Sequence, residues 1–586
     1  MKKIGMGYEN YKEFVDEKLY YVDKTLLIRD ILEKGGKVTL FTRPRRFGKT
    51  LALSTIRTFF ELEYDRDGKP IDKRRYFEGM KIMDAGSEVL SKMGSYPVIK
   101  MTLKSAKQPN FNGAFMKLQD EVIEEFKRHD YLLKSDILSD KERAWYEEIL
   151  GGFSIWMNDR ILDEKWPEIF SEALDKYSTA LKGLSALLRR YHGKNVIILI
   201  DEYDVPLENA YFTGFYPEMV GFIRSLFESA LKTNDDLEFA VMTGCLRISK
   251  ESIFTGLNNL TIVSVLSEQF TEGFGFTQEE TEKMLSDYGL SEKVDEVRDW
   301  YNGYLFGKTD IYNPWSVIHY IYDHVPNPKC FPKPYWANTS SNSIIKDLIA
   351  RADEKTREEL DNLINGGTVE KRIHEDITYD DIAHDDAKKS DDNLWNFLFF
   401  TGYMRKVSER QEEDKIYLTM KIPNREIRSI YGDQITEWFE RKVRVADRTD
   451  LFAALLKRDT AAMGKILTGL LKGTISTFDS SESFYHGYLA SMLTGMEDYA
   501  VRTNREAGNG RPDIIMYPET PTDPAYIFEL KVRKKFNEMQ DGLEEAFEQI
   551  RDRRYEDGIL EEGYVGAVSF GVCFCKKSCI VGLCPA

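Results

Sequence analysis

The chain has 586 residues, 42% hydrophobic and 31% charged, and its 81 basic and 98 acidic side chains leave a net charge of −17. That length predicts about three to four domains, and the acidic balance excludes a protein that coats nucleic acid non-specifically, though not one with a local basic groove. No run of about 18 apolar residues appears, so no membrane association is expected; the N-terminus also lacks the apolar stretch of a secretory leader, and a cytoplasmic protein is expected.

Residues 1–35 are predicted helical, with a stop at Lys34-Gly-Gly-Lys37. A β-like run, Lys37-Val-Thr-Leu-Phe-Thr42, follows, and then the octapeptide Arg43-Pro44-Arg45-Arg46-Phe47-Gly48-Lys49-Thr50 and a helix-like run over 51–60. Strand, tight loop, Gly-Lys-Thr and helix is the setting of a phosphate-binding loop. Amide groups and the dipole at the helix start favour an anion there. Lys49 would reach the β/γ-phosphates, and the Thr50 hydroxyl would hold Mg²⁺. The general pattern has glycine where this chain has Arg43, so the loop needs a partner elsewhere in the sequence.

Residues 62–80 read as a polar loop and 112–192 mostly as helix, with apolar spacing in Phe115-x₂-Leu118 and Leu181-x₂-Leu184. Asn195-Val-Ile-Ile-Leu-Ile200 and Leu237-Glu-Phe-Ala-Val-Met-Thr-Gly244 lack polar alternation, as strands of a parallel sheet do. Strands separated by helices indicate an α/β sheet. Asp201 and Glu202 end the first of these strands. There Asp201 would bind a water on Mg²⁺ and Glu202 would polarise the attacking water. An acidic turn after a core strand is the plain alternative, and the Gly48-Lys49-Thr50 signal upstream weighs against it. Thr243, at the end of the other strand, would sense the γ-phosphate. Arg247 would contact transition-state charge, or be an ordinary surface arginine.

After about residue 265 the pattern becomes mainly helical. Residues 375–393 are Asp-rich and read as an exposed loop or linker. Leu394–Met404 and Lys415–Lys421 read as helix, turn and hairpin, the order of a winged-helix-like module. Near the end, Gly510-Arg-Pro-Asp513 opens one β-like run and Ala525-Tyr-Ile-Phe-Glu529-Leu-Lys531-Val another. With a strand period of two, Glu529 and Lys531 share a face. A hairpin across Pro518–Pro524 would bring Asp513 to Glu529. Two hard oxygen ligands would then hold Mg²⁺ while Lys531 orients a water beside a phosphodiester. A salt-bridged edge strand is the alternative. Lys531, Arg533, Lys534, Lys535, Arg551, Arg553 and Arg554 would line a phosphate-tracking groove, although a solvated helix face accounts equally for the last three. Four of the six cysteines crowd the end, as Cys573, Cys575, Cys579 and Cys584. Their spacing lacks the pairs of a zinc ribbon, and a buried apolar strand is the expected setting.

Tyr21-Val-Asp-Lys-Thr25, the 43–50 loop, Leu199-Ile-Asp-Glu-Tyr-Asp-Val-Pro206, Tyr301-Asn-Gly-Tyr304, Tyr312-Asn-Pro-Trp-Ser316 and Tyr335-Trp-Ala-Asn-Thr339 resemble the AAA-ATPase-like prokaryotic proteins with a C-terminal PD-(D/E)XK nuclease-superfamily domain. Arg43 in place of the first glycine is usual in that family. The resemblance implies ATP and Mg²⁺ as cofactors, nucleic acid (DNA in the first instance) as partner, and leaves a homo-oligomer open. It implies a P-loop NTPase sheet, a helical and winged-helix-like middle region, and a C-terminal restriction-endonuclease-like α/β domain. The expected divisions are 1–265 (ATPase), 266–375 (helical lid), 376–445 (winged-helix-like) and 446–586 (nuclease-like). Phe484-Tyr-His486 and Asn504-Arg-Glu506 also resemble the nuclease relatives, with Glu482 as an upstream metal ligand and Gln549 and Tyr555 as supporting residues.

Overall fold

The computed structural model describes residues 2–65, 67–152, 166–246, 253–254, 257–337, 354–373, 395–413, 415–432, 447–472, 482–503, 507 and 510–585. Arg247, Asn504–Glu506 and the acidic stretch 375–393 lie outside the described residues. The chain divides into two compact units, Met1–Ser340 with Glu370–Ile427, and Ser341–Val369 with Arg428–Ala586.

The first unit is built on a five-stranded, all-parallel sheet. Its strands are β1 (Val38–Thr42), β2 (Val98–Thr102), β3 (Val196–Asp201), β4 (Leu237–Gly244) and β5 (Leu260–Val263), in the order β2-β3-β4-β1-β5. Every residue of β1 and β3 is buried, as in strands covered on both faces. β4 lies between β1 and β3, so the phosphate-loop strand and the Asp201 strand are not neighbours, and Thr243 at the end of β4 sits between them. Strands β2 and β5 were not singled out in the sequence. Lys100 interrupts the first, and the second has only four residues.

Beyond the sheet, β6 (Tyr304–Phe306) and β7 (Thr309–Ile311) form a hairpin, and the helix Pro314–His324 follows, capped by Asn313, whose side chain accepts from Trp315 N. Gly303 adopts φ +109°, and a Cβ there would lie 2.1 Å from Pro423 O, so only glycine allows this approach. Strands β8 (Val369–Ile373), β9 (Arg405–Glu412) and β10 (Lys415–Lys421) form a separate three-stranded sheet in the order β8-β10-β9. The expected hairpin is therefore present, joined by a third strand.

The second unit holds a mixed sheet in the order β11 (Tyr499–Thr503), β12 (Ile514–Pro518), β13 (Ala525–Val532), β14 (Ala567–Cys575) and β15 (Ser578–Leu583). β12 and β13 pair antiparallel, Ile514 opposite Phe528, whereas β13 and β14 are parallel, joined through the helices Met539–Arg553 and Tyr555–Glu561. Alternation sorts the side chains. Ile514, Met516, Phe528 and Leu530 pack with Tyr485, Leu489 and Met492 of the helix Glu482–Leu493, while Ile515 and Ile527 meet Ile550, Tyr555 and Ile559 on the other face. Glu529 and Lys531 continue the Ile527 face. Cys573, Cys575 and Cys579 are buried in β14 and β15, and Cys584 is half-buried. Among the described residues no helix is long and apolar enough to cross a membrane.

Candidate functional sites

The first site forms where β1, β3 and β4 end. Gly48 takes φ +81° and opens the helix Lys49–Phe60; a Cβ at this glycine would meet nothing within 4 Å, so the backbone angle and not crowding selects the residue. Arg46 also has a positive φ, +70°. Lys49 is buried, and its ammonium donates to Arg43 O and Pro44 O, both at 3.0 Å, with Cys245 Sγ at 3.5 Å. Both oxygens of the buried Asp201 accept from hydroxyls, Oδ2 from Thr50 at 2.7 Å and Oδ1 from Thr243 at 2.5 Å. The structure thus brings Lys49, Thr50, Asp201 and Thr243 together across the 193 positions from 50 to 243 (243 − 50). A hydroxyl and a carboxylate at this spacing are the hard oxygen donors a Mg²⁺ site needs.

Glu202 is half-buried and strained into the left-handed region at φ +50°, a conformation that non-glycine residues keep only where the surroundings impose it. Its amide donates to Thr243 Oγ1 at 3.4 Å. Burial pushes its carboxyl above the usual carboxylate range, with Lys49 drawing it partly back. Asp204, which the sequence reading did not single out, is fully buried and accepts from Cys245 N and Leu246 N at 2.7 and 2.9 Å. It ties the exit of β3 to the exit of β4. Gly244 belongs to the same clamp, because a Cβ there would strike the Tyr203 ring at 2.5 Å and Asp204 Oδ1 at 2.9 Å.

The three arginines of the expected phosphate-binding loop have three separate surroundings. The Arg43 guanidinium is wholly buried and donates to Thr42 O, Val263 O and Phe270 O, with the Phe306 and Phe274 rings 4.8 and 5.5 Å away. Burial lowers its pKa to about 9. Its two terminal nitrogens hold three core carbonyls, while Nε has no hydrogen-bond partner among the described residues, so the guanidinium serves packing. Arg45 pairs with Glu208 at 2.5 Å. Arg46 is exposed and stacks on Trp315 at 4.3 Å. Pro44 and Phe47 are buried, Phe47 edge-on to Tyr304 at 4.9 Å.

The second site lies on the β12–β13 hairpin. Asp513 Oδ2 accepts from Leu530 N at 2.8 Å, and His486 Nε2 donates to Asp513 O at 2.9 Å. Glu529 is 2% exposed and its Oε2 has no hydrogen-bond partner among the described residues. Lys531 Nζ reaches Glu529 Oε1 at 3.3 Å and Gln549 Oε1 at 2.6 Å, and Gln549 Nε2 donates to Tyr555 Oη at 3.3 Å. Burial first, and Asp513 second, push the Glu529 carboxyl up to about 7; burial also raises Asp513. A buried carboxylate oxygen without a donor is costly unless a cation fills the gap, so this pair fits a divalent metal. Glu482 is exposed at the start of its helix, and no three His, Cys, Asp or Glu side chains converge as a metal cluster among the described residues.

Comparison with known families agrees with both geometries. A family model described as Predicted AAA-ATPase matches residues 5–254, and one described as PD-(D/E)XK nuclease superfamily matches residues 480–583. The chain carries an AAA-ATPase-like domain and a C-terminal PD-(D/E)XK nuclease-superfamily domain. Lys49, Thr50, Asp201 and Thr243 all fall within the AAA-ATPase-like match, and Glu482, Asp513, Glu529 and Lys531 within the nuclease-superfamily match. The chain is also similar to an uncharacterized protein in the vnfD 5′ region of Azotobacter chroococcum mcd 1, 22% identical over 581 residues, covering 96% of this chain and 94% of that one. The two chains therefore correspond over nearly their whole lengths.

Proposed function

We propose that the protein binds and hydrolyses ATP with Mg²⁺ and that its nucleotide state governs a Mg²⁺-dependent nuclease-like domain acting on nucleic acid, DNA foremost. The layout would be an ATPase domain over 1–265, a helical lid over 266–375, a winged-helix-like module over 376–445 and the nuclease-like domain over 446–586. The observation that carries the ATPase half is the hydroxyl–carboxylate–hydroxyl chain Thr50–Asp201–Thr243 beside Lys49. In this reading Lys49 leaves its loop carbonyls for phosphate, and Thr50 and Asp201 hold the metal, which supplies charge neutralisation at the phosphates. Glu202 takes a proton from the attacking water, a task its raised pKa suits. Arg247 remains a candidate for transition-state charge. At the second site Asp513 and Glu529 hold the metal, with Glu482 as a further ligand, and Lys531, steadied by Gln549, orients the water. A cytoplasmic setting, assembly with copies of itself, and a role in defence or mobile-element control complete the proposal.

The absence of a third converging metal-ligand side chain at the second site among the described residues favours one alternative, a switch whose terminal domain binds nucleic acid or protein without cutting. Incubating the protein with single- and double-stranded DNA and RNA, Mg²⁺ or Mn²⁺, separates the two. Cleavage lost in Asp513→Ala supports the nuclease reading, and identical behaviour of wild type and variant on every substrate supports the switch.

A further inference from the structure

The three arginines of the 43–50 loop go to three different places, and only one is poised to meet a ligand. Arg43 is sealed among backbone carbonyls, and Arg46 lies on Trp315. Arg45 is held at 2.5 Å by Glu208, the pair being 29% and 13% exposed. Glu208 sits in the first turn of the helix Val205–Thr213, where the helix dipole favours a carboxylate with or without Arg45. That helix starts directly after Asp204, whose bonds to Cys245 N and Leu246 N fix its position. Cys245 Sγ lies 3.5 Å from Lys49 Nζ, and the field of Arg45 also acts on that thiol. Pro44, whose carbonyl holds Lys49 Nζ at 3.0 Å, directly precedes Arg45, so the two cations share one neighbourhood, Lys49 hydrogen-bonded to two loop carbonyls and Arg45 paired with Glu208.

We infer that Glu208 is a positioning residue for the nucleotide site, holding the Arg45 guanidinium beside Lys49 and yielding it to the phosphates when nucleotide binds. The inference rests on the nucleotide-binding reading above. A polyphosphate carries more charge than one carboxylate and accepts a guanidinium bidentately. The exchange is therefore favourable, and the helix dipole keeps Glu208 tolerable once Arg45 has left. Glu208 thereby lowers the affinity of the site for nucleotide, because each binding event must first break the pair.

The test is equilibrium binding of a fluorescent ATP analogue with MgCl₂ to the full chain. It compares wild type, Glu208→Gln, Glu208→Ala, Arg45→Gln and the Arg45→Gln/Glu208→Gln double variant. Loss of a partly buried competing ion pair should tighten binding on the order of five- to tenfold in both Glu208 variants. Arg45→Gln should weaken binding, and the double variant should match Arg45→Gln alone, the non-additivity expected of residues acting through each other. Unchanged or weaker binding in the Glu208 variants overturns the inference. So does a gain that persists without Arg45, since that would be simple charge repulsion. If wild type binds no better than Lys49→Ala, the nucleotide reading itself falls and this inference with it.

Discussion

Replacing Glu426 with Gln should change how the first unit's stability depends on pH. Glu426 is fully buried, and among the described residues its carboxylate accepts from neutral donors alone. Ser316 Oγ lies 2.8 and 3.0 Å from its two oxygens and Trp336 N 2.8 Å from Oε1. Its titratable surroundings are Tyr301, Tyr304 and Tyr335, whose own pKa values its charge helps to raise. Burial, only partly offset by the hydrogen bonds, moves its pKa from 4.5 to about 7. Because the folded value is the higher, the unfolded chain releases the proton first. Stability is then unpenalised below pH about 4.5 and falls as pH rises, levelling off above about 7. At 1.36 kcal/mol per pH unit the full penalty is about 3 kcal/mol, of which about 2 kcal/mol accrues between pH 5.5 and 8.5. Glu426→Gln keeps the shape and does not ionise, so its stability relative to wild type should improve by about 2 kcal/mol over that range. Hydrogen exchange in the presence of EDTA, read over peptides spanning 314–337 and 415–432 at both pH values, measures this difference, since intrinsic rates cancel between the proteins. A wild-type-minus-variant difference that is the same at pH 5.5 and 8.5 would refute the reasoning.

Three further outcomes follow from the same geometry. Arg43→Ala strips the donor from Thr42 O, Val263 O and Phe270 O. It should cost about 3 kcal/mol or more, seen as a melting transition lowered by several degrees, whereas Arg46→Ala, exposed on Trp315, should leave that transition nearly in place. Gly303→Ala drives a methyl to 2.1 Å from Pro423 O at φ +109° and should destabilise by about 2 kcal/mol or more, measured in the same melts. At the second site, Mn²⁺ must displace the proton that Glu529 retains up to about pH 7. Affinity by calorimetry should therefore fall roughly fivefold from pH 7 to pH 6, and Glu529→Gln should bind more weakly with a flatter profile; a wild-type affinity independent of pH would count against the assignment.

How much of this was legible in the sequence depended on the range of the contacts. The phosphate loop was readable because strand, turn and helix are contiguous, and the β12–β13 hairpin because six residues join its strands and the period of two aligns Glu529 with Lys531. Asp201 was readable as the end of an apolar strand. The placement of β4 between β1 and β3 was not, since parallel strands are ordered by crossovers and not by local pattern. Nor were the separate fates of Arg43, Arg45 and Arg46, three near-identical side chains in four positions, which are set by Val263, Glu208 and Trp315 at distances of 163 to 269 positions (208 − 45 and 315 − 46). The landmark segments around Tyr301, Tyr312 and Tyr335 were visible as resemblance alone. Their physical reason, a buried carboxylate at Glu426 gathering Ser316 and Trp336, required the folded chain. Asp204 was hidden by its company, one more acid in Asp-Glu-Tyr-Asp, until its two backbone donors were seen.

The central claim is that a nucleotide site governs a metal-dependent nucleic-acid site, and one measurement meets it directly: DNA cleavage by the full chain with Mg²⁺ or Mn²⁺, with and without ATP, in wild type, Lys49→Ala and Asp513→Ala. Cleavage should be abolished in Asp513→Ala, and its response to ATP should be lost in Lys49→Ala. Cleavage indifferent to both substitutions would contradict it.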